Sequence, residues 1–235
     1  MHGSIFADGP KAPPPETIDV PNVIPIFPIP KVVLLPAEVL PLHVFEPRYI
    51  DLVRDAVSSH RVIGIVDVLP GHEDELPGSP PVRNIGCIGF IAAHEELEDG
   101  RFLMWLLGLE RFKIEEELDV PTSYRQVQVR YQPTPESPKR LAGIRPLRQE
   151  LRSLLPNLVD LDDTSREQFA SHMAEVSDAQ LVALAAQILE LDGERKQLLR
   201  ESSTLSDRVL LVYADLYRHL DLNPEFGNFD ADDLN

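Results

Sequence analysis

The chain has 235 residues, 43% of them hydrophobic and 26% charged, which is enough for one large domain or two small ones with a buried core. Its 22 Lys and Arg stand against 39 Asp and Glu, a net charge of −17 with no basic run, and this argues against binding a nucleic-acid backbone or an anionic membrane. The single cysteine, Cys87, excludes an intrachain disulfide and suits a reducing compartment, and no apolar run reaches the roughly 18 residues of a membrane span. The opening MHGSIFADGPKAPPPE has neither a basic region nor an apolar core. No signal peptide is therefore expected, and a cytoplasmic location is.

Residues 1–21 are rich in Pro, Gly and charge and read as a flexible tail. From Val23 to Tyr49 the prolines at 25, 28, 30, 36, 41 and 47 alternate with apolar residues. Proline lacks the N–H that a helix or a central strand needs, so the stretch reads as short strands that bend sharply. Pro47 is well placed to open a helix, expected over Pro47–His60 with Ile50, Val53 and Val57 as its apolar stripe. Val62–Leu69 is β-branched and apolar, a buried strand; residues 70–81 form a breaker-rich loop. Ile85–His94 and Arg101–Leu107 flank Asp99-Gly100, which predicts a hairpin. Gly108 marks a bulge or bend, after which Leu109–Glu116 resumes with Phe112 and Ile114 on one face. Tyr124–Tyr131 alternates, with Val127, Val129 and Tyr131 inward. Short strands with one early helix suggest a closed or nearly closed barrel.

Residues 132–140 are a linker by composition, and the rest is helical. Leu147, Leu151, Leu154 and Leu155 form one stripe, ended by Pro156. Thr164/Glu167 and Ser177/Gln180 read as capping boxes, opening helices that carry Phe169, Met173 and Val176, then Leu181, Leu184, Ala185, Ile188 and Leu189. Asp192-Gly193 breaks the second of these. A short helix passes through Leu198 and Leu199, and a last one spans Ser206–Leu220 with Val209, Val212, Tyr213, Leu216 and Leu220 inward. Residues 223–235 form an acidic tail.

Two stretches resemble one family. IPIFPIPKVVLLPAEVLPLHVFEPRY is similar to the opening of the Lon N-terminal (Lon substrate-binding) domain, with Ala37 where that family usually has glycine. IGCIGFIAAHEELEDGRFLMWLLGLERFKI is similar to its second signature, with Gly86, Gly89, Asp99, Gly100, Gly108, Arg111 and Phe112 in the matching places. The resemblance covers roughly residues 22–222. It implies an α+β chain: a PUA-like, mostly antiparallel β-barrel with one early helix over 22–135, then a helical bundle over 136–222. It further implies a non-catalytic module that binds unfolded or partner polypeptide, as an adaptor or a holdase.

Within this chain there is no phosphate-binding loop, no nucleophile elbow and no His-x-x-x-His pair among the seven histidines. No cofactor or metal is expected. His72-Glu73-Asp74-Glu75 and His94-Glu95-Glu96 read as solvated charges, and Cys87 as a small buried residue. His43, Glu46 and Arg48, at the strand-to-helix junction, are the best polar cluster: a groove rim, or a helix cap with Arg48 paired to an acid across the barrel. Trp105, the sole tryptophan, is either core or an exposed anchor. These four are the binding-groove candidates. The alternative reading is a small-molecule binder or cryptic enzyme with its site between barrel and bundle; RNA binding, known for other PUA-like barrels, is opposed by the charge.

Overall fold

Proline placement decides where the first strands can pair. In the computed structural model, which describes residues 18, 20–76, 78–134 and 136–221, β1 (Val23–Pro28) changes partner at Pro25. Val23–Pro25 pair antiparallel with β6 (Gln126–Tyr131), and Ile26–Pro28 pair parallel with β3 (Val62–Val66). Pro25 has no N–H to donate, so the switch falls where a donor is missing. Pro41 lies in β2 (Val39–Val44), which among the described residues pairs only with β5 (Phe102–Leu118) and forms an edge, the place a sheet tolerates proline. The expected tails lie outside the described residues, apart from Ile18, Val20 and Pro21.

The strand order is β2-β5-β4-β3-β1-β6, with β4 spanning Ile85–Glu96, and β6 pairs back onto β5, so the sheet closes into a ring with β2 appended. Among the described strands only the β1–β3 pairing is parallel. The 17-residue β5 makes closure possible: its first half holds β2 and its second half, from Phe112, holds β6. No break occurs at Gly108. The bulge expected there is present on β5 itself: between the pairs Cys87–Arg111 and Gly89–Gly108, Leu109 and Glu110 stand opposite Ile88 alone, and Gly108 serves in addition as a crossing point. The segment before β2 passes over it so closely that a Cβ on Gly108 would lie 2.0 Å from the Leu35 carbonyl oxygen. Ala37, in the motif position usually held by glycine, has φ of 66°, the left-handed region that glycine occupies without strain. The β4–β5 turn closes as expected, with Gly100 at φ 81° and its N–H on the Leu97 carbonyl.

Helix α1 (Pro47–Val57) begins at Pro47 and ends three residues before the expected His60. Its buried face is Tyr49, Leu52, Val53 and Ala56, whereas Ile50 and Val57 are only half-buried. The face turns toward Tyr49 because that ring stacks on Phe27 of β1, centroids 3.9 Å apart. One apolar cluster joins α1 to Phe27, Leu34, Ile63, Ile65, Met104 and Leu106; a second gathers Ile24, Ile26, Ile88, Phe112, Val127 and Val129.

The described residues divide into two units between Pro133 and Thr134. The second unit is helical: α2 (Pro138–Gly143), α3 (Arg145–Leu154), α4 (Asp163–Glu175), α5 (Asp178–Ile188), α6 (Gly193–Glu201) and α7 (Leu205–His219). Three local readings are corrected. The end of the expected linker is already helix, since Ser137 caps α2 by accepting from the Arg140 N–H. Thr164 does not cap α4, because Asp162, two residues earlier, accepts from the Ser165 N–H at 2.9 Å with the stronger carboxylate acceptor. Asp192-Gly193 does not break α5; that helix ends before Glu190 at φ 49°, and Asp192 caps α6. The Ser177/Gln180 box is present. A further box, Thr204/Asp207, opens α7, with aspartate doing what glutamate or glutamine usually does. Leu147, Leu151 and Leu155 are buried, as are Val209, Val212, Tyr213 and Leu216, while Leu154 and Leu220 are half-buried. Within α7, Asp215 is also buried, accepting from Arg195 Nε of α6 at 2.8 and 3.0 Å. Among the described residues, no helix is long and apolar enough to cross a membrane.

Candidate functional site

The structure separates the four expected site residues into three settings. Glu46 and Arg48 form an ion pair of 3.1 Å at the start of α1. Glu46 occupies the N-cap position without a side-chain cap bond, because Arg48 Nε donates to its carboxylate instead. Arg48 therefore finds its acid two residues away, not across the sheet. Its guanidinium lies over the Tyr49 ring, 4.6 Å from the centroid, and its outer nitrogens donate to the Leu76 and Gly78 carbonyls, the latter at 2.8 Å. His43 joins neither: its ring meets Phe45 edge-on at 6.0 Å, and its Nε2 is buried with no hydrogen-bond partner among the described residues. Trp105 is only 8% exposed and lies opposite Pro41 in the β2–β5 ladder.

Sequence reasoning passed over Arg125. It sits just before β6 and makes a bidentate pair with Glu117, both contacts 2.7 Å, while its NH1 donates to the Pro80 carbonyl at 2.8 Å. Arg48 and Arg125 are 77 positions apart in sequence, and nothing local in the sequence brings them together. They line one small cavity of about 40 Å³ with Ile26, Tyr49 and Tyr124. Burial pushes the Tyr49 phenol up, and the adjacent Arg48 charge offsets part of that.

Beside it lies a more open recess of about 300 Å³ with Asp51, Arg54, Asp55 and Tyr124 on its walls. Asp55 accepts from the Tyr124 hydroxyl at 2.7 Å, and Asp51 from Ser123 Oγ at 2.8 Å. Burial first, then the hydrogen bond to Asp55, pushes the Tyr124 phenol up to about 12. Its folded value lies above its ordinary value, so the stability it contributes is present below pH 10 and lost as the pH rises from about 10 to about 12. Titration followed by absorbance at 295 nm should show a phenol ionising near 12 that is missing in Tyr124→Phe; a Tyr124→Phe curve that lacks instead a phenol ionising near 10 would refute this.

His43 belongs to the β2 edge. Among the described residues β2 is paired on one side only, and its face away from the core carries Val39, Pro41 and His43, with Phe45 continuing the alternation. Val39 is 39% and Phe45 62% exposed, two of the four large apolar side chains most open to water among the described residues. Leu40, Leu42 and Val44 point the other way, into the first apolar cluster.

The model of the ATP-dependent protease La (LON) substrate-binding domain matches residues 23–216. The chain is 25% identical over 211 residues to Lon protease of Dictyoglomus thermophilum, covering 88% of this chain and 26% of that protein. It is 27% identical over 206 residues to Lon protease 2 of Myxococcus xanthus, covering 85% of this chain and 24% of the relative. It thus spans about a quarter of the length of these relatives. In fold it is similar to the N-terminal domain of Mycobacterium avium complex Lon protease, with a TM-score of 0.66 at 16% identity over 84% of this chain and 99% of that one. It is also similar to the Lon N-terminal domain protein from Xanthomonas campestris, with a TM-score of 0.57 at 22% identity over 82% of this chain and 97% of that one. By the extent of that match, over both the strand-rich and the helical unit, the chain belongs to the Lon substrate-binding domain family.

Proposed function

We propose that this chain is a non-catalytic polypeptide-recognition module and that it engages an extended segment along the open edge of β2. The observation that carries this reading is that edge: a strand with one unpaired side, flanked by the exposed Val39 and Phe45. An added strand gains main-chain hydrogen bonds from such an edge, and side-chain contacts then supply selectivity. Pro41 removes one donor, so the edge gives only part of a ladder, which limits uncontrolled pairing with other sheets. The family's name, that of a substrate-binding domain of a protease, supports polypeptide as the class of ligand. The net charge of −17 opposes nucleic acid.

The test is fluorescence anisotropy with ribonuclease A kept unfolded by reduction and alkylation. The native chain should bind it, and Val39→Ser combined with Phe45→Ser should weaken binding at least about fivefold, the scale of losing one or two well-placed anchors. Both side chains are exposed, so the thermal midpoint should barely move. Unchanged affinity in the double variant would sink the β2 edge as the site.

A further inference from the structure

Two arginines in the first unit share a design. Glu46 orients Arg48, and Glu117 grips Arg125 with two parallel bonds. Each guanidinium also donates to main-chain carbonyls: Arg48 to Leu76 and, through NH1, to Gly78, and Arg125 through NH1 to Pro80, the last two at 2.8 Å. Gly78 and Pro80 are alternate residues. In an extended chain alternate carbonyls point to the same side, so this pair of donors reads extended backbone. Main-chain carbonyls carry no side-chain information, so the cradle is indifferent to sequence. The floor is apolar and aromatic, with Ile26, Tyr49 and Tyr124, and a cavity of about 40 Å³ remains beside the occupant. A loop needs no such apparatus merely to close, because its base is already fastened by the Leu69 N–H to the Pro81 carbonyl and by the Val68–Val82 bridge.

We propose that Gly78–Pro80 occupies, in cis, a subsite for extended polypeptide formed by Arg48, Arg125, Tyr49 and Tyr124, and that a bound polypeptide displaces it. This rests on the reading that the chain recognises polypeptide, and it adds a second contact point, distinct from the β2 edge, together with a resting state in which that point is closed. The ligand class is an extended, uncharged main chain, with proline tolerated because only carbonyls are read.

The test uses the full chain with the loop shortened by deletion of residues 72–80, its base from Leu69 to Pro81 retained, and two probes: alkylated, unfolded ribonuclease A and a synthetic peptide of this chain's residues 74–83. The shortened chain should bind the unfolded protein at least fivefold more tightly than the native chain. The peptide should bind the shortened chain, not the native one, and Arg48→Ala with Arg125→Ala in the shortened chain should abolish peptide binding. In the native chain, adding unfolded ribonuclease A should raise hydrogen exchange at the Gly78 amide, a readout that needs no variant to fold. If native and shortened chains bind the unfolded protein equally, the peptide binds neither and exchange is unchanged, the subsite is wrong and the polypeptide reading stands. If neither chain binds the unfolded protein, that reading falls and the subsite falls with it.

Discussion

Gly108→Ala is expected to lower the thermal midpoint of the first unit by roughly 10 °C, the counterpart of about 3 kcal/mol in a unit of this size. The added Cβ would lie 2.0 Å from the Leu35 carbonyl oxygen and 2.9 Å from its carbonyl carbon, both backbone atoms that no rotamer change can move. The crossing segment cannot drift away either. The Ala37 N–H donates to the Gly108 carbonyl and the Gly108 N–H to the Glu38 carbonyl, both at 2.8 Å. The Glu38 carboxylate, itself buried, accepts from the Leu35 N–H at 2.9 Å. Making room for one methyl therefore strains or breaks main-chain bonds on both strands at once. Trp105, three residues away and the sole tryptophan, gives a fluorescence signal for the unfolding of this unit. Gly143→Ala is the control: nothing lies within 4 Å of its added Cβ, and alanine in place of glycine in a helix should leave stability level or raise it by up to about 1 kcal/mol. A Gly108→Ala chain melting within 2 or 3 °C of the native one would show that the segment yields, and that the close crossing is not what fixes β2 on β5.

Phe112→Ala should cost about 3–5 kcal/mol, the range for deleting a fully buried aromatic ring without collapse of the site. The ring lies against two glycines on neighbouring strands: an added Cβ would come within 2.9 Å of it at Gly64 and 2.4 Å at Gly86. The two sites differ in what else is near. At Gly86 the Ile65 carbonyl oxygen also stands 2.8 Å away, whereas at Gly64 the near atoms all belong to the side chains of Ile24 and Phe112. Gly64→Ala alone should therefore destabilise, yet combined with Phe112→Ala it should cost less than the sum of the two, because its methyl group enters the space the ring has left. A coupling of at least about 1 kcal/mol is expected from denaturant midpoints, as for residues in direct contact. Strict additivity would mean that the ring and the glycine do not compete for space.

These two positions also mark where local sequence stopped being informative. Phe112 and Gly108 were legible as family motif residues, and the hairpin at Asp99-Gly100 followed from turn chemistry alone. The bulge beside Gly108 was legible but the close approach was not, because a glycine in a strand signals either, and only the position of Leu35 shows that both occur here. The helix caps show the same limit at shorter range. Ser177 and Gln180 announced their box, but Asp162 took the capping position from Thr164, and Thr204 used Asp207 where the usual pattern has glutamate or glutamine.

The candidate site divides in the same way. His43, Glu46 and Arg48 sit together in sequence at a strand-to-helix junction, and of these Glu46 and Arg48 do pair. His43 points elsewhere, since residues on a strand alternate faces while residues on the following helix turn by about 100° each. Arg125 and Glu117 drew no notice because their meaning lies in a loop 37 or more positions away. Residue order alone carried the class of the chain, its family, the order of strands before helices, and which prolines could not lie in a central strand. These follow from local sterics, from hydrogen-bonding capacity and from periodicity, all of which act within a few residues. It took the assembled fold to close β6 onto β5, to leave β2 with an open edge among the described residues, and to bring two distant arginines onto one stretch of main chain. Those outcomes depend on which surfaces meet across the closed sheet, and the pairing that minimises unpaired backbone and buried void is settled by the whole first unit at once.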